Sequence, residues 1–329
     1  MIKAYFYDAN GADREAELED KLPAIASDQL LWIDITGREE GELDRVANLL
    51  SLENSSIGEL QSSRRAFNLG NYGQYVMFDV LTLCPKEDRV RGKVPRTPQS
   101  MRLDFVFSDK WLLTVHDEGV GFLEDFRAQD RGETLIGQLS PASLAAALLD
   151  LHLSGYLAAI EVLETFVDGL DVRLLGKRAL RDDLLAQLVV GSRYVASLRR
   201  MLAAQRTVFY GLSRPDFTIV AASNAAPHFA ALERHFDRAL DAIEHARELM
   251  KGSFELLSAR VSETTNVLIR RLTFISLMLG AIGAVAGVFG MNFQTRYTSS
   301  GEEGFWIVIG ALALLAIVSG GISLYRKWI

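Results

Sequence analysis

Residues 272–291 contain no charged side chain, and neither do residues 304–325. Each run is about 20 residues, enough at 1.5 Å per residue to cross a hydrocarbon layer roughly 30 Å thick. Two such runs in succession at the carboxyl end place a helical hairpin in a bilayer and leave the charged remainder in water. Arg270 and Arg271 precede the first run, and Arg326 and Lys327 follow the second. The intervening loop holds one base, Arg296, and two acids, Glu302 and Glu303. This bias modestly favours both termini in the cytoplasm and the loop outside; the expected location is a bacterial-type inner (plasma) membrane, as a multi-pass protein. Trp306 and Trp328 flank the second run, where amphipathic rings favour the interface. Lys3, Asp8, Asp13, Arg14 and Glu15 keep the amino terminus from reading as a signal peptide.

The charge balance narrows the partners. The net charge of −7 is well mixed in sign along 329 residues, which gives no footprint for nucleic acid. Cys84 is the single cysteine, so neither an intrachain disulfide nor a cysteine-based zinc site can form. The histidines, at 116, 152, 228, 235 and 245, make no compact metal-ligand pair. His228 and His235 stand two helical turns apart, and His116-Asp117-Glu118 reads as a strand end. No nucleophile-and-base set and no P-loop is present, so an enzyme is not expected.

The pattern divides the chain. Residues 1–140 read as a mixed α/β domain with strands at Ile2–Tyr7, Leu30–Ile35, Tyr75–Leu83, Leu103–Phe107 and Trp111–Val115. Ser108-Asp109-Lys110 turns between the last two, Glu39–Leu50 is a surface helix, and Pro85–Ser100 is a basic loop. Residues 141–226 read as a helical hairpin. Leu153, Tyr156, Ile160, Leu163, Val167, Leu170 and Leu174 keep 3-4 spacing, and Gly176 ends the helix. A second helix, about 180–210, carries Leu184, Leu188, Val195, Leu198 and Leu202 and packs antiparallel to the first. A third starts near Pro227 and meets no breaker before residue 291, a length of roughly 95 Å. Its Phe236, Ile243, Met250 and Leu257 recur every seven residues. It forms a stalk over 227–271 and the first span over 272–291. Residues 292–303 are an outer loop, 304–325 the second span and 326–329 a basic tail. A helix of that length needs packing partners, which copies of itself around an axis would supply.

One face of the first span is unusual. From Asn266, steps of three and four meet Ile269, Thr273, Ser276, Gly280, Gly283, Gly287 and Gly290. The face is polar at its inner end and bare beyond. Two roles fit: close helix packing through Gly283 and Gly287, or a lumen between copies whose lining lacks side chains. Neither span offers Asp, Glu, His or Cys, so a dehydrated transition metal would find no ligands there. An ion that keeps its water needs only amide and hydroxyl oxygens. Mg²⁺ sheds water reluctantly, and Asn292 could hold its hydration shell; hydrated Zn²⁺ would use the same ring.

These residues resemble the CorA superfamily of divalent-cation transporters. The likeness rests on Asn266, on Leu272-Thr273, on Gly287-Val288-Phe289-Gly290-Met291-Asn292-Phe293, on the short second span and on the ending Arg326-Lys327-Trp328-Ile329. It implies a funnel-shaped homopentamer, with an α/β cytoplasmic domain, a long helical stalk and two carboxyl-terminal transmembrane helices. It further implies that Gly290, Met291 and Asn292 form the selectivity entrance, and that Asn266 lines the inner pore, with Ile269 and Leu272 near a hydrophobic constriction. Three departures stand out. Gln294-Thr295-Arg296 replaces the Met-Pro-Glu-like sequence of the magnesium branch. No proline interrupts 277–285. Arg193-Tyr194, Arg199-Arg200, Ala204 and Arg206 resemble the zinc-transporting ZntB branch. The cargo stays open between Mg²⁺ and Zn²⁺, and no covalently bound cofactor is implied.

The stalk also carries an acidic stripe, Asp237, Asp241, Glu244, Glu248 and Glu255. It reads either as a solvated face paired with Arg234, Arg238 and Arg247, or as a set of carboxylates that cytoplasmic Mg²⁺ bridges between subunits. Glu255 matches a regulatory acid of the family. Glu302 and Glu303 read as loop solubility or as a ring that concentrates cations. Outside transport, the architecture also suits a hairpin-anchored cytoplasmic scaffold.

Overall fold

The structure, a computed structural model, describes residues 1–10, 13–16, 18, 22–26, 28–62, 67–84, 97–129, 136–176, 183–214, 217–291 and 301–325. The chain forms two compact units, Met1–Ser253 and Phe254–Ile329.

In the first unit, the aromatic and β-branched runs form the sheet. The strands are β1 (Ile2–Asp8), β2 (Arg14–Ala16), β3 (Gln29–Thr36), β4 (Leu69–Asn71), β5 (Val76–Leu83), β6 (Ser100–Phe107) and β7 (Trp111–His116). They lie in the order β2-β1-β3-β7-β6-β5-β4. Among the described residues only β3 and β7 pair in parallel. All five expected strands are there; β2 and β4, three residues each, are too short for a period to show. The basic loop falls mostly in 85–96, outside the described residues.

Alternation sends side chains to both faces of the sheet. On one side, Leu31, Ile33, Ile35, Met77, Val106, Leu113 and Val115 bury against Leu43, Val46, Ala47 and Leu50 of α1 (Glu40–Leu49 with its cap) and Leu60 of α2 (Asn54–Gln61). On the other, Trp32 meets Phe126 of α3 (Gly121–Gln129) edge to face at 5.9 Å. Helix α4 (Pro141–Leu175) starts at Ser140, whose Oγ accepts from the Ser143 N–H at 3.1 Å, and its Tyr156 hydroxyl donates to the Leu81 carbonyl at 2.7 Å.

Strands β5 and β6 carry charges in otherwise apolar runs, and these charges meet inside. Asp104 forms an ion pair with Arg38 at 2.7 Å and accepts from Arg102 at 2.5 Å, and Arg102 lies 3.6 Å from Asp79. Arg38 also reaches Asp117 and the Leu60 carbonyl, and Arg102 the Ser62 carbonyl. A buried charge is tolerated only with such partners. This cluster stitches the start of α1, the end of α2 and strands β5 and β6 together.

The helical seam is as expected. Every residue from Leu153 to Leu174 in the 3-4 series is buried, and the Gly176 N–H caps the end on the Val172 carbonyl. The second helix differs from the expectation. It stops at Ala203 and resumes as α6, so α5 is Asp183–Ala203 and α6 is Arg206–Leu212. The break lies at Gln205, whose buried amide sits near the Met201 carbonyl, the Tyr156 hydroxyl and the Leu81 carbonyl while its oxygen accepts from His152. Burial pushes His152 down to about 4, so at neutral pH it is an uncharged donor in this network. The short α7 (Thr218–Ala222) leads into α8 (Ala226–Phe289), a single helix of 64 residues.

Within the first unit, α8 lays Phe229, Leu232, Phe236, Ala239, Ile243, Ala246 and Met250 into the core. Asp150 pairs with His235 at 2.5 Å, and Asp171 accepts from Ser253 at 2.6 Å, so α4 and α8 run in the same direction. Gly191 of α5 faces Met250, and Phe209 of α6 stacks on Phe236 at 4.6 Å, so α5 and α6 run the opposite way. A Cβ on Gly191 would sit 2.9 Å from Met250 Cε and 3.3 Å from Phe166 Cε1, so a side chain here would have to displace the end of Met250 where α4, α5 and α8 meet.

The second unit holds the rest of α8 and α9 (Gly301–Tyr325). Among the described residues three helices are long and apolar enough to cross a membrane: α4, α8 and α9. The apolar window of α4 is 56% buried inside the chain, whereas those of α8 and α9 are 0% buried. The first is therefore a core helix, and the other two have apolar surfaces that the chain itself leaves uncovered.

Candidate functional site

In the isolated chain, Asn266, Ile269, Leu272, Thr273, Ser276, Gly280, Gly283, Gly287 and Gly290 are all exposed. A Cβ built on Gly280, Gly283 or Gly287 would meet nothing within 4 Å. The half-covered positions of the same span are Phe274, Met278, Ala281, Ile282 and Val285. At 3.6 residues per turn, those positions lie about 180° around the helix from the polar-and-glycine stripe. In α9 the half-covered positions include Gly304, Val308, Leu312 and Ala316, again on one face. Cover within the chain thus falls on the side of α8 away from the stripe.

The helix closes at the expected triplet. The Gly290 N–H bonds the Ala286 carbonyl at 2.9 Å, and the Met291 N–H reaches back only to Val288 at 3.3 Å. Met291 is exposed at this end, and Asn292 lies outside the described residues. Glu302 and Glu303 stand in the first turn of α9, where the helix dipole favours acids.

The acidic stripe is partly engaged inside the chain. Asp237 accepts from the Tyr210 hydroxyl at 2.7 Å. Glu244 is held by Arg199 of α5 and by Arg247, and the Arg199 bond keeps its carboxyl below the usual range. Of the three arginines expected along this face, Arg247 pairs with Glu244; Arg199, distant in sequence, was not legible as a partner. Asp241, Glu248 and Glu255 are exposed. Among the described residues, no group of three or more His, Cys, Asp or Glu side chains is placed to hold a metal. His116 and His152 are buried in hydrogen-bond networks, and His235 contacts Asp150.

A family model described as the CorA-like Mg²⁺ transporter protein matches residues 27–321, from the sheet through both apolar helices. The chain belongs to the CorA family. This is a family of ion transporters rather than enzymes. Among curated relatives, the cobalt/magnesium transport protein CorA of Thermotoga maritima is 20% identical over 318 residues, 96% of this chain and 88% of the relative. Among solved structures, the complete CorA magnesium transporter of Methanocaldococcus jannaschii superposes with a TM-score of 0.75 at 16% identity, covering 100% of this chain and 99% of that one. The cytoplasmic domain of ZntB from Vibrio parahaemolyticus matches with a TM-score of 0.61 at 10% identity, over 79% of this chain and 98% of that domain. At such identities the structural likenesses establish the fold alone.

Proposed function

We propose that this CorA-family chain assembles as a funnel-shaped homopentamer in a bacterial inner membrane and carries Mg²⁺ or Zn²⁺ inward with at least part of its hydration shell. The observation that carries this reading is the stripe from Asn266 to Gly290, exposed and turned about 180° from the side that the chain itself covers. Five such stripes around an axis would enclose a lumen with amide and hydroxyl oxygens inside and bare backbone further out. Asn266, Ile269, Leu272, Thr273, Ser276, Gly280, Gly283 and Gly287 line it, and Gly290, Met291 and Asn292 form its entrance. Glu302 and Glu303 would add about ten carboxylates to the outer mouth and raise the local cation concentration. Inward movement of a divalent ion gains about 4.6 kcal/mol per 100 mV, so the membrane potential is a sufficient drive.

Purified protein in liposomes with a trapped ion-sensitive dye tests this reading. Influx of Mg²⁺ or Zn²⁺ above protein-free vesicles is expected, rising with an inside-negative potential. Running both metals with and without a proton gradient names the cargo and any coupling. No influx of either metal would leave the hairpin-anchored scaffold as the better account.

Regulation belongs to the same proposal. Glu255, exposed and matching a regulatory acid of the family by its place in the sequence, is the acid of the stripe that we assign to cytoplasmic metal between subunits. Glu255→Ala should weaken the inhibition of influx by metal inside the vesicle. Unchanged inhibition would remove Glu255 from the gate.

A further inference from the structure

A cleft opens at one edge of the sheet. Strand β4 pairs only with Val76, Met77 and Phe78 of β5, so among the described residues no further strand lies beside residues 79–83. On that edge the Leu81 carbonyl is capped instead by the Tyr156 hydroxyl at 2.7 Å and the Gln205 amide at 3.4 Å. The edge is therefore closed to an added strand at this point, and whatever settles there must be held by side chains. Two features of the chain before and within β4 shape the space. Leu69 lies against Gly211 of α6, where an added Cβ would stand 2.2 Å from Leu69 Cδ2. Two residues earlier, Phe67 has a φ of 47°, left-handed backbone that a bulky residue rarely adopts, and it lines the cleft.

The cleft measures about 390 Å³, the size of a small-molecule site. Leu81 and Pro98 extend the apolar wall that Phe67 begins, and α5 adds Met201. Ser100 and Ser197 bring hydroxyls, and Arg200 is the one charged group among the described residues of the lining. Arg200 is exposed, and its Nη2 donates to Ser197 Oγ at 3.0 Å, which engages one of its five donors. We infer that this cleft is a binding site for a small organic anion with a flat ring, of the size and chemistry of a purine nucleoside monophosphate. The lining holds no acid, and a guanidinium beside a hydroxyl suits phosphate oxygens. Phe67 and Met201 offer a ring apolar and polarisable surface. One cation matches one phosphate, whereas a triphosphate would bring charge that the lining does not meet. An inorganic anion would use Arg200 and leave the apolar wall wet.

The probe is radiolabelled AMP, followed by equilibrium dialysis against the full chain in detergent, with empty micelles as the blank. EDTA is present so that no metal bridges the phosphate. Saturable binding with a dissociation constant below about 1 mM is expected, and adenosine and ribose phosphate should each compete at least about tenfold less well. Arg200→Gln should weaken AMP at least about tenfold. Phe67→Asn should do the same, since asparagine tolerates left-handed backbone and removes only the ring. Arg193→Gln, two turns earlier on the exposed side of α5, should bind as wild type does. Thermal midpoints without AMP show which variants are folded; if one of the two cleft variants is not, the other decides. No saturable binding to wild type, ribose phosphate competing as well as AMP itself, or undiminished AMP binding in the folded cleft variants overturns the inference.

Discussion

Leucine at position 283 is expected to stop metal influx into proteoliposomes while the chain folds and assembles as before. In the chain, a Cβ on Gly283 meets nothing within 4 Å, so the substitution carries no packing penalty of its own. In the proposed pentamer, five leucines converge where the lumen has no side chains. A barrier raised by about 1.4 kcal/mol already slows passage tenfold, and an apolar plug that a hydrated ion must pass should exceed that. Ile275→Phe serves as the control. Ile275 is 49% exposed and lies about a third of a turn from the stripe, so influx should persist. Asn292→Ala should also abolish influx, by removing the amide ring at the mouth without narrowing anything. Unchanged influx in Gly283→Leu would sink the lumen, and a chain that no longer assembles would point to the glycines as packing contacts.

Asp104→Ala is the second large effect, and it concerns stability. Asp104 is 0% exposed and forms ion pairs with both Arg38 and Arg102. Truncation leaves two guanidiniums facing a hole, and the remaining acids do not replace what is lost. Asp79 stands 3.6 Å from Arg102, and Asp117, the other partner of Arg38, is half exposed. Breaking a buried pair by removing one member costs about 3–5 kcal/mol, a large share of the roughly 5–15 kcal/mol that holds a domain together. The measurement is chemical denaturation followed by tryptophan fluorescence, since Trp32 and Trp111 report from the same sheet. A loss under about 1 kcal/mol would mean that the cluster is solvated in the native state.

Much of this fold could be read from periodicity, because the core repeats it. The 3-4 series on α4 needs no knowledge of its partners to be read as a buried stripe, and the strands announce themselves by composition. What escaped reading was set by distant residues. Gln205 breaks a helix whose pattern gives no warning, because its amide is wanted by groups on α4 and β5. Arg199 reaches Glu244 across a packing that neither segment encodes alone. Asp79 and Asp104 did leave a signal: a lone acid inside an apolar strand must find a cation somewhere in the interior. The stripe from Asn266 to Gly290 was visible because spacing on a helix translates directly into a face. Its role was not, since copies of the chain decide what that face meets.

Helix α4 poses a problem of biogenesis. As it leaves the ribosome it is a stretch that insertion machinery would accept by length and composition, although 56% of its apolar window ends up buried inside the folded chain. Strands β1 to β7 have been synthesised by then, but α8 has not. Asp150, Glu161 and Asp168 stand on the exposed face of α4. An aspartate at the centre of an inserting helix costs about 2.5–3.5 kcal/mol. These acids make no contribution to the core, yet they mark the helix as one to be released into water, and so preserve the count of crossings that the topology requires.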